Sequence, residues 1–103
     1  MLRQGDVTLI PVDRVPKGAR KVARDNGRVV LAYGEVTGHS HAIAAPAAEL
    51  LTVDDARFLR IVGSVAVPLR HEEHAAIEVA PGTYRVVIGR EWTSDMGARQ
   101  VVD

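Results

Sequence analysis

Cysteine is absent from this 103-residue sequence. Its absence excludes disulfide bonds and every metal site built on thiolate ligands, and it favours a reducing compartment. An excess of charge of either sign is also absent, because 13 basic and 13 acidic side chains cancel. The chain therefore lacks the broad positive field on which non-specific binding to nucleic acids or membrane surfaces depends.

Long apolar runs are missing as well. No stretch approaches the roughly 20 apolar residues that a membrane-spanning helix needs, and the opening MLRQGD lacks the apolar run of a secretory signal. We expect a cytoplasmic protein that does not bind membranes. The length accommodates one domain, residues 1–103. Residues 93–103 show no clear pattern and are expected to form a loosely ordered tail.

Valine is the commonest residue, with sixteen copies, and glycine and proline recur at short intervals between the apolar runs. This combination favours short strands joined by tight turns. We predict an all-β fold, a small β-barrel or β-sandwich of about seven or eight short strands with a long histidine-bearing loop. The predicted strands cover residues 7–10, 21–24, 28–34, 49–53, 57–62, 64–70, 76–79 and 83–92.

Two connections between these strands have distinctive sequences. Asn26-Gly27 is the strongest short hairpin signal, since both residues accept the positive φ of a type I′ turn. Residues 35–48 are predicted to form a long functional loop, because loops beyond about 12 residues in small domains usually carry function. A short helix over residues 47–51 competes with the strand predicted at 49–53.

All four histidines of the chain fall into two tight pairs. His39 and His41 lie two residues apart, so on an extended segment their imidazoles face the same side. His71 and His74 lie three residues apart, a spacing that a single helical turn brings together. We predict that all four bind one divalent transition-metal ion, zinc in the first place, with iron, manganese, nickel and copper as alternatives.

Three carboxylates lie near these pairs in the sequence, Glu35, Glu72 and Glu73. We predict a catalytic role for them, as the general base that acts on a metal-bound water. Binding the ion or orienting an imidazole are the alternatives. Ligation by all four histidines would give a closed structural site, whereas three histidines and a water would leave a catalytic position open.

Four motifs, GEVTGHSH (34–41), LRHEEH (69–74), PGTYRV (81–86) and REW (90–92), resemble those of a family of small, largely uncharacterised bacterial and phage-associated proteins. The resemblance covers nearly the whole chain and implies that both histidine pairs belong to one recurring unit. The first pair is also similar to the G-x(n)-H-x-H segment of cupins, which leads into a β-barrel metal site. The second pair departs from the cupin pattern, because it is HxxH and precedes Pro81-Gly82.

Three functions are compatible with these patterns. The first is a small metal-binding β-protein that acts as a metal-dependent hydrolase on a small-molecule or nucleic-acid substrate. The second is a metal-free enzyme of the ribonuclease type, in which two histidines serve as general acid and base. The third is a non-enzymatic accessory module whose metal site holds together a homodimer or a higher homo-oligomer.

Overall fold

The computed structural model describes residues 1–34 and 38–89, and ten β-strands run through them. In chain order these are β1 (Leu2–Gln4), β2 (Val7–Val12), β3 (Arg20–Lys21), β4 (Val29–Tyr33), β5 (Ser40–Ile43), β6 (Ala48–Val53), β7 (Ala56–Ile61), β8 (Val67–Leu69), β9 (Ile77–Val79) and β10 (Gly82–Ile88). The prediction of an all-β fold is confirmed. No helix in the described ranges is long and apolar enough to cross a membrane.

Six strands form one antiparallel sheet in the order β1-β2-β10-β7-β6-β3. Its register sets Val86 opposite Leu9 and Tyr84 opposite Leu59, and all four side chains are buried. Burial alternates along β2 and β10, as it must when one face of a sheet is covered and successive side chains point to opposite faces. The large sheet is therefore the platform on which the other strands pack.

The remaining four strands form two hairpins, β4-β5 and β8-β9. Within residues 1–34 and 38–89, one backbone bridge, between Ala42 and Arg70, connects them, with N–H···O distances of 3.0 and 2.9 Å. The sheets are not closed into a barrel, because the hairpins do not continue the hydrogen-bond ladder of the large sheet. The barrel alternative is therefore wrong. Both layers contribute to one core, which includes Val7, Leu9, Leu59 and Val86 from the sheet and Leu31, Ile43, Leu69 and Val79 from the hairpins.

Several predicted boundaries differ from the structure. The long loop predicted over residues 35–48 contains strand β5, whose four side chains are all buried. Residues 48–53 form strand β6, so the competing helix at 47–51 is wrong. The strand predicted over 64–70 is shortened to β8, and Val65 before it is 71% exposed. Strands β5 and β6 form because they pair with β4 and β7, which local propensity does not reveal. The predicted tail, residues 93–103, lies outside the described residues.

The predicted turn at Asn26-Gly27 is present, but the hairpin around it is not. The two residues have φ values of 54° and 80°, and Asp25 and Arg28 exchange both backbone hydrogen bonds across them. Beyond this bridge the flanking segments separate, because β3 pairs with β6 and β4 pairs with β5. The turn therefore connects two layers instead of closing a two-stranded unit.

Three strands at one end of the large sheet are linked by the side chain of Glu49 on β6. Its carboxylate accepts a hydrogen bond of 2.6 Å from Arg60 Nε on β7 and lies 3.3 Å from Lys21 Nζ on β3. The bond from Arg60, followed by the contact with Lys21, holds the pKa of Glu49 below its ordinary value of 4.5 despite partial burial. This carboxylate is therefore stabilised in its charged form by the fold.

We predict that Glu49→Gln lowers the free energy of unfolding by about 1 kcal/mol near neutral pH, since solvent screens these partly exposed pairs. The folded-state pKa is the lower one, so this contribution is present above the ordinary pKa and is lost as the pH falls through the folded value. Urea denaturation of both proteins near pH 7 and near pH 3 measures the difference. If the difference in unfolding free energy between the wild type and Glu49→Gln does not shrink at the lower pH, the stabilising role of the Glu49 carboxylate is contradicted.

Candidate metal centre

Two segments that are distant in sequence carry the four histidines to one place. His41 lies in β5 and His39 lies just before it, whereas His71 and His74 lie in the connection between β8 and β9. The backbone bridge between Ala42 and Arg70 joins the segments, and each bridge residue is the chain neighbour of a histidine. The first pair is therefore held beside the second by main-chain hydrogen bonds.

The His71 ring occupies the middle of the resulting histidine cluster, which we define as the four imidazoles. Its centroid lies 4.2 Å from that of His41, 4.7 Å from that of His74 and 5.7 Å from that of His39. The rings of His41 and His74 are 6.0 Å apart. All four imidazoles that the sequence analysis selected thus meet in one group, with His41 buried and His74 exposed.

The buried end of the cluster is organised by Gln4, the last residue of β1. Gln4 Nε2 donates hydrogen bonds to the carbonyl oxygens of Leu69, at 2.8 Å, and Ala75, at 2.9 Å. This orientation leaves Oε1 as the acceptor that faces His41 Nδ1 at 2.8 Å. Nδ1 of His41 therefore carries a hydrogen, and Nε2 is the nitrogen directed toward Asp6 Oδ1, at 3.5 Å.

The turn between β1 and β2 packs directly against two of the imidazoles. Gly5 in this turn has a φ of 58°, and a Cβ atom added to it would lie 2.7 Å from His74 Nε2 and 3.2 Å from His41 Cε1. Only glycine combines that backbone conformation with so close an approach. The N-terminal segment is thus one wall of the cluster.

The more exposed end of the cluster brings a carboxylate to two imidazoles. One ligating atom from each of His39, His71 and Glu72 lies within 4.8 Å of the other two. The backbone N–H of Ser40 donates a 2.9 Å hydrogen bond to Glu72 Oε1. This bond is the main reason that the pKa of Glu72 lies below its ordinary value, and the neighbouring His39 and His71 add to it. Glu72 is therefore held charged and oriented toward the rings.

Glu73 contacts two rings of the cluster in different ways. Its backbone N–H donates a 3.0 Å hydrogen bond to His71 Nδ1, and its exposed carboxylate lies 3.7 Å from His39 Nδ1. Because Nδ1 of His71 is an acceptor here, a neutral His71 ring carries its hydrogen on Nε2. The adjacent rings of His41 and His71 thus hold their hydrogens on opposite nitrogens.

The sequence analysis selected most, but not all, of the residues found here. Glu72 and Glu73 lie beside the histidine cluster, whereas Glu35 lies outside the described residues. The ligand and catalytic roles predicted for these residues stay predictions. Gln4 and Asp6 were missed. One signal was available for Gln4, because it stands at an inward position of the alternating segment that begins at Leu2.

A comparison with protein families matches residues 3–89 to a family described as Domain of unknown function (DUF8820). The match includes both histidine pairs and the N-terminal segment that carries Gln4 and Asp6. No curated protein and no solved structure matches the chain.

We predict that NMR of the imidazole ring nitrogens will find a hydrogen on Nδ1 of His41. Gln4→Met removes the acceptor that fixes it and the hydrogen bonds that Gln4 donates to two carbonyl oxygens, so it should lower the free energy of unfolding by about 2 kcal/mol. Thr8→Val on β2 is the control, with an expected change within about 0.5 kcal/mol. A wild-type His41 ring with its hydrogen on Nε2 alone would contradict the proposed role of Gln4.

Proposed function

We propose that this chain, which belongs to the DUF8820 family, binds a divalent transition-metal ion at the histidine cluster and uses it to hydrolyse its substrate. The observation that carries the proposal is the convergence of His39, His71 and Glu72, whose ligating atoms lie within 4.8 Å of one another. Imidazole nitrogens with a carboxylate favour zinc, iron, manganese, nickel or copper over calcium and magnesium. Zinc is the ion to test first.

This donor set supports a catalytic site over a purely structural one. Two histidines and one glutamate leave the fourth position of a tetrahedral zinc ion open for water, as in hydrolytic zinc sites. His41 and His74 adjoin His71, and Gln4 engages Nδ1 of His41, so that this ring would reach an ion only through Nε2. Ligation by all four histidines, which would give a closed site, is the alternative. Substituting the candidate ligands one at a time distinguishes the two arrangements.

Metal binding should rearrange the turn that carries His71. In the described conformation, Nδ1 of His71 accepts the backbone N–H of Glu73. A neutral imidazole has one lone pair in the ring plane, so ligation through Nδ1 displaces that N–H. Ligation through Nε2 moves the ring hydrogen to Nδ1, where it opposes the same N–H. Either way the Glu73 amide changes its partner when the ion binds.

The remaining groups can supply the other parts of a hydrolytic reaction. A bound divalent ion lowers the pKa of a water molecule so that hydroxide forms near neutral pH. Glu72 would serve as a ligand, and Glu73, with a side chain that is 66% exposed and lies beside His39, is placed to accept the proton. Glu35 is the second candidate for that role.

A metal-free acid–base enzyme is the second candidate function, and one observation favours it. The rings of His41 and His71 are 4.2 Å apart and carry their hydrogens on opposite nitrogens. Two imidazoles this close supply both groups that such an enzyme needs, since one can act as the general base and the other, once protonated, as the general acid. This reading requires neither a ligand role for Glu72 nor a rearrangement at Glu73.

We predict that the chain, after dialysis against a chelator, binds one zinc ion and that His39→Ala and Glu72→Gln each weaken binding by about 100-fold. Calorimetric titration measures the affinity, and the Glu73 amide should shift in the NMR spectrum when zinc is added. Glu78→Gln on β9 is the matched control, since this exposed glutamate lies outside the cluster. Affinities equal to that of the control would contradict the ligand assignment.

We predict that hydrolysis of p-nitrophenyl acetate or bis(p-nitrophenyl) phosphate is lost on chelation, restored by zinc and abolished in Glu72→Gln. The absorbance of the released nitrophenolate measures the rate. Activity that survives chelation with a bell-shaped pH profile would establish the metal-free enzyme instead. Zinc binding without turnover, together with a mass that falls on chelation, would point to the accessory module.

A further inference from the structure

A cavity of about 270 Å³ lies beside the histidine cluster and shares a wall with it. His71 and Glu72 line the cavity and also belong to the candidate metal centre. The rest of the lining includes two arginines, Arg28 and Arg70, and the hydroxyl-bearing Ser40. A ligand in this cavity would therefore touch the group of residues that we assign to the ion.

The alternation of side chains along β5 places the cavity on the side opposite His41. Successive residues of a strand face opposite sides, so His41 faces Gln4 and Asp6 while Ser40 and Ala42 face the cavity. Ala44 continues that row. These side chains are small, and the space that they leave is the volume of the cavity.

Both arginines stand on firmly held backbone. Arg70 exchanges two main-chain hydrogen bonds with Ala42, and Arg28 exchanges two with Asp25 across the Asn-Gly turn. Arg28 Nη1 lies 3.3 Å from Ser40 Oγ, and the guanidinium of Arg70 has no hydrogen bond or ion pair within residues 1–34 and 38–89. The cavity thus presents cationic donors that rise from held backbone and whose hydrogen-bonding capacity is largely unused within the described residues.

We propose that this cavity binds the phosphate group of a phosphate-monoester substrate and holds that substrate against the candidate metal centre. The inference rests on the proposed metal-dependent function. Two guanidinium groups and a hydroxyl match a phosphate dianion in charge and in the number of oxygen acceptors, whereas a carboxylate would occupy only one arginine. Ser40 connects the two sites, because its backbone N–H orients Glu72 and its hydroxyl faces Arg28.

The charge of Glu72 makes the binding of phosphate and metal interdependent. Its carboxylate lines the cavity and would repel an anion, but an ion bound between His39, His71 and Glu72 would offset that charge. We therefore expect phosphate to bind about tenfold more tightly to the zinc-loaded chain than to the metal-free chain. By the same coupling, phosphate should tighten zinc binding by an equal factor.

Calorimetric titration with methylphosphonate, a non-hydrolysable dianion, and with acetate, a carboxylate of similar size, tests the proposal on both forms of the chain. Arg28→Gln and Arg70→Gln should each weaken methylphosphonate binding about tenfold, and the double variant about 100-fold. Arg70→Lys should have a methylphosphonate affinity between those of the wild type and Arg70→Gln, since lysine keeps the charge but lacks the planar array of guanidinium donors. Arg14→Gln, in an exposed loop, is the control and should bind as the wild type does.

The outcomes separate this inference from the proposed function. A double variant that binds methylphosphonate as the control does, or a wild type that binds acetate equally well, would overturn the phosphate site. Zinc titration of the double variant should give unchanged or tighter binding, because only positive charge has been removed. A wild type that binds no zinc but shows arginine-dependent methylphosphonate binding would overturn the metal proposal and leave the anion site standing.

Discussion

The backbone bridge between Ala42 and Arg70 is the interaction on which the candidate centre depends. It is the one main-chain ladder contact between the two hairpins within the described residues. Because Ala42 follows His41 and Arg70 precedes His71, the bridge sets the register of the two histidine pairs directly. A slip of one residue would turn every side chain of β5 to the opposite side. The imidazole of His41 would then face the cavity, and Ser40 and Ala42 would face Gln4.

The buried side-chain amide of Gln4 reinforces the alignment of the two histidine pairs that the bridge between Ala42 and Arg70 determines. Gln4 donates to Leu69 and Ala75, which stand on either side of the segment that carries His71 and His74, and it accepts from His41. One side chain from the large sheet therefore contacts His41 and the backbone on both sides of the segment that carries the second pair. Both the nitrogen and the oxygen of this amide form hydrogen bonds. A buried polar group whose hydrogen bonds are formed stabilises one conformation.

Local patterns predicted those parts of the molecule that local physics determines. The valine-rich alternation identified most strands, the Asn26-Gly27 dipeptide identified a turn, and the spacing of the histidines identified the two pairs. The sequence predicted a loop where strand β5 lies, because serine, histidine and alanine have little intrinsic preference for strands. Its extended form comes from pairing with β4 and from burial on both sides.

The contacts between distant segments could not be predicted in the same way. Nothing near Gln4 in the sequence indicates that it reaches Leu69, and nothing near Arg28 indicates that it shares a cavity with Arg70. These contacts exist because the hairpins and the sheet pack on a common core. The candidate ligands could therefore be selected from the sequence, whereas the residues that orient them required the folded chain.

The position of Gln4 gives the first strand an importance that its length does not suggest. Short strands at sheet edges ordinarily fray, with little free energy separating the paired from the open form. Here β1 is such a strand, and its last residue holds the orientation of His41. Opening of β1 would therefore remove the hydrogen bond that orients His41. Any ligand that requires the ordered imidazole cluster would in turn favour the paired form of β1.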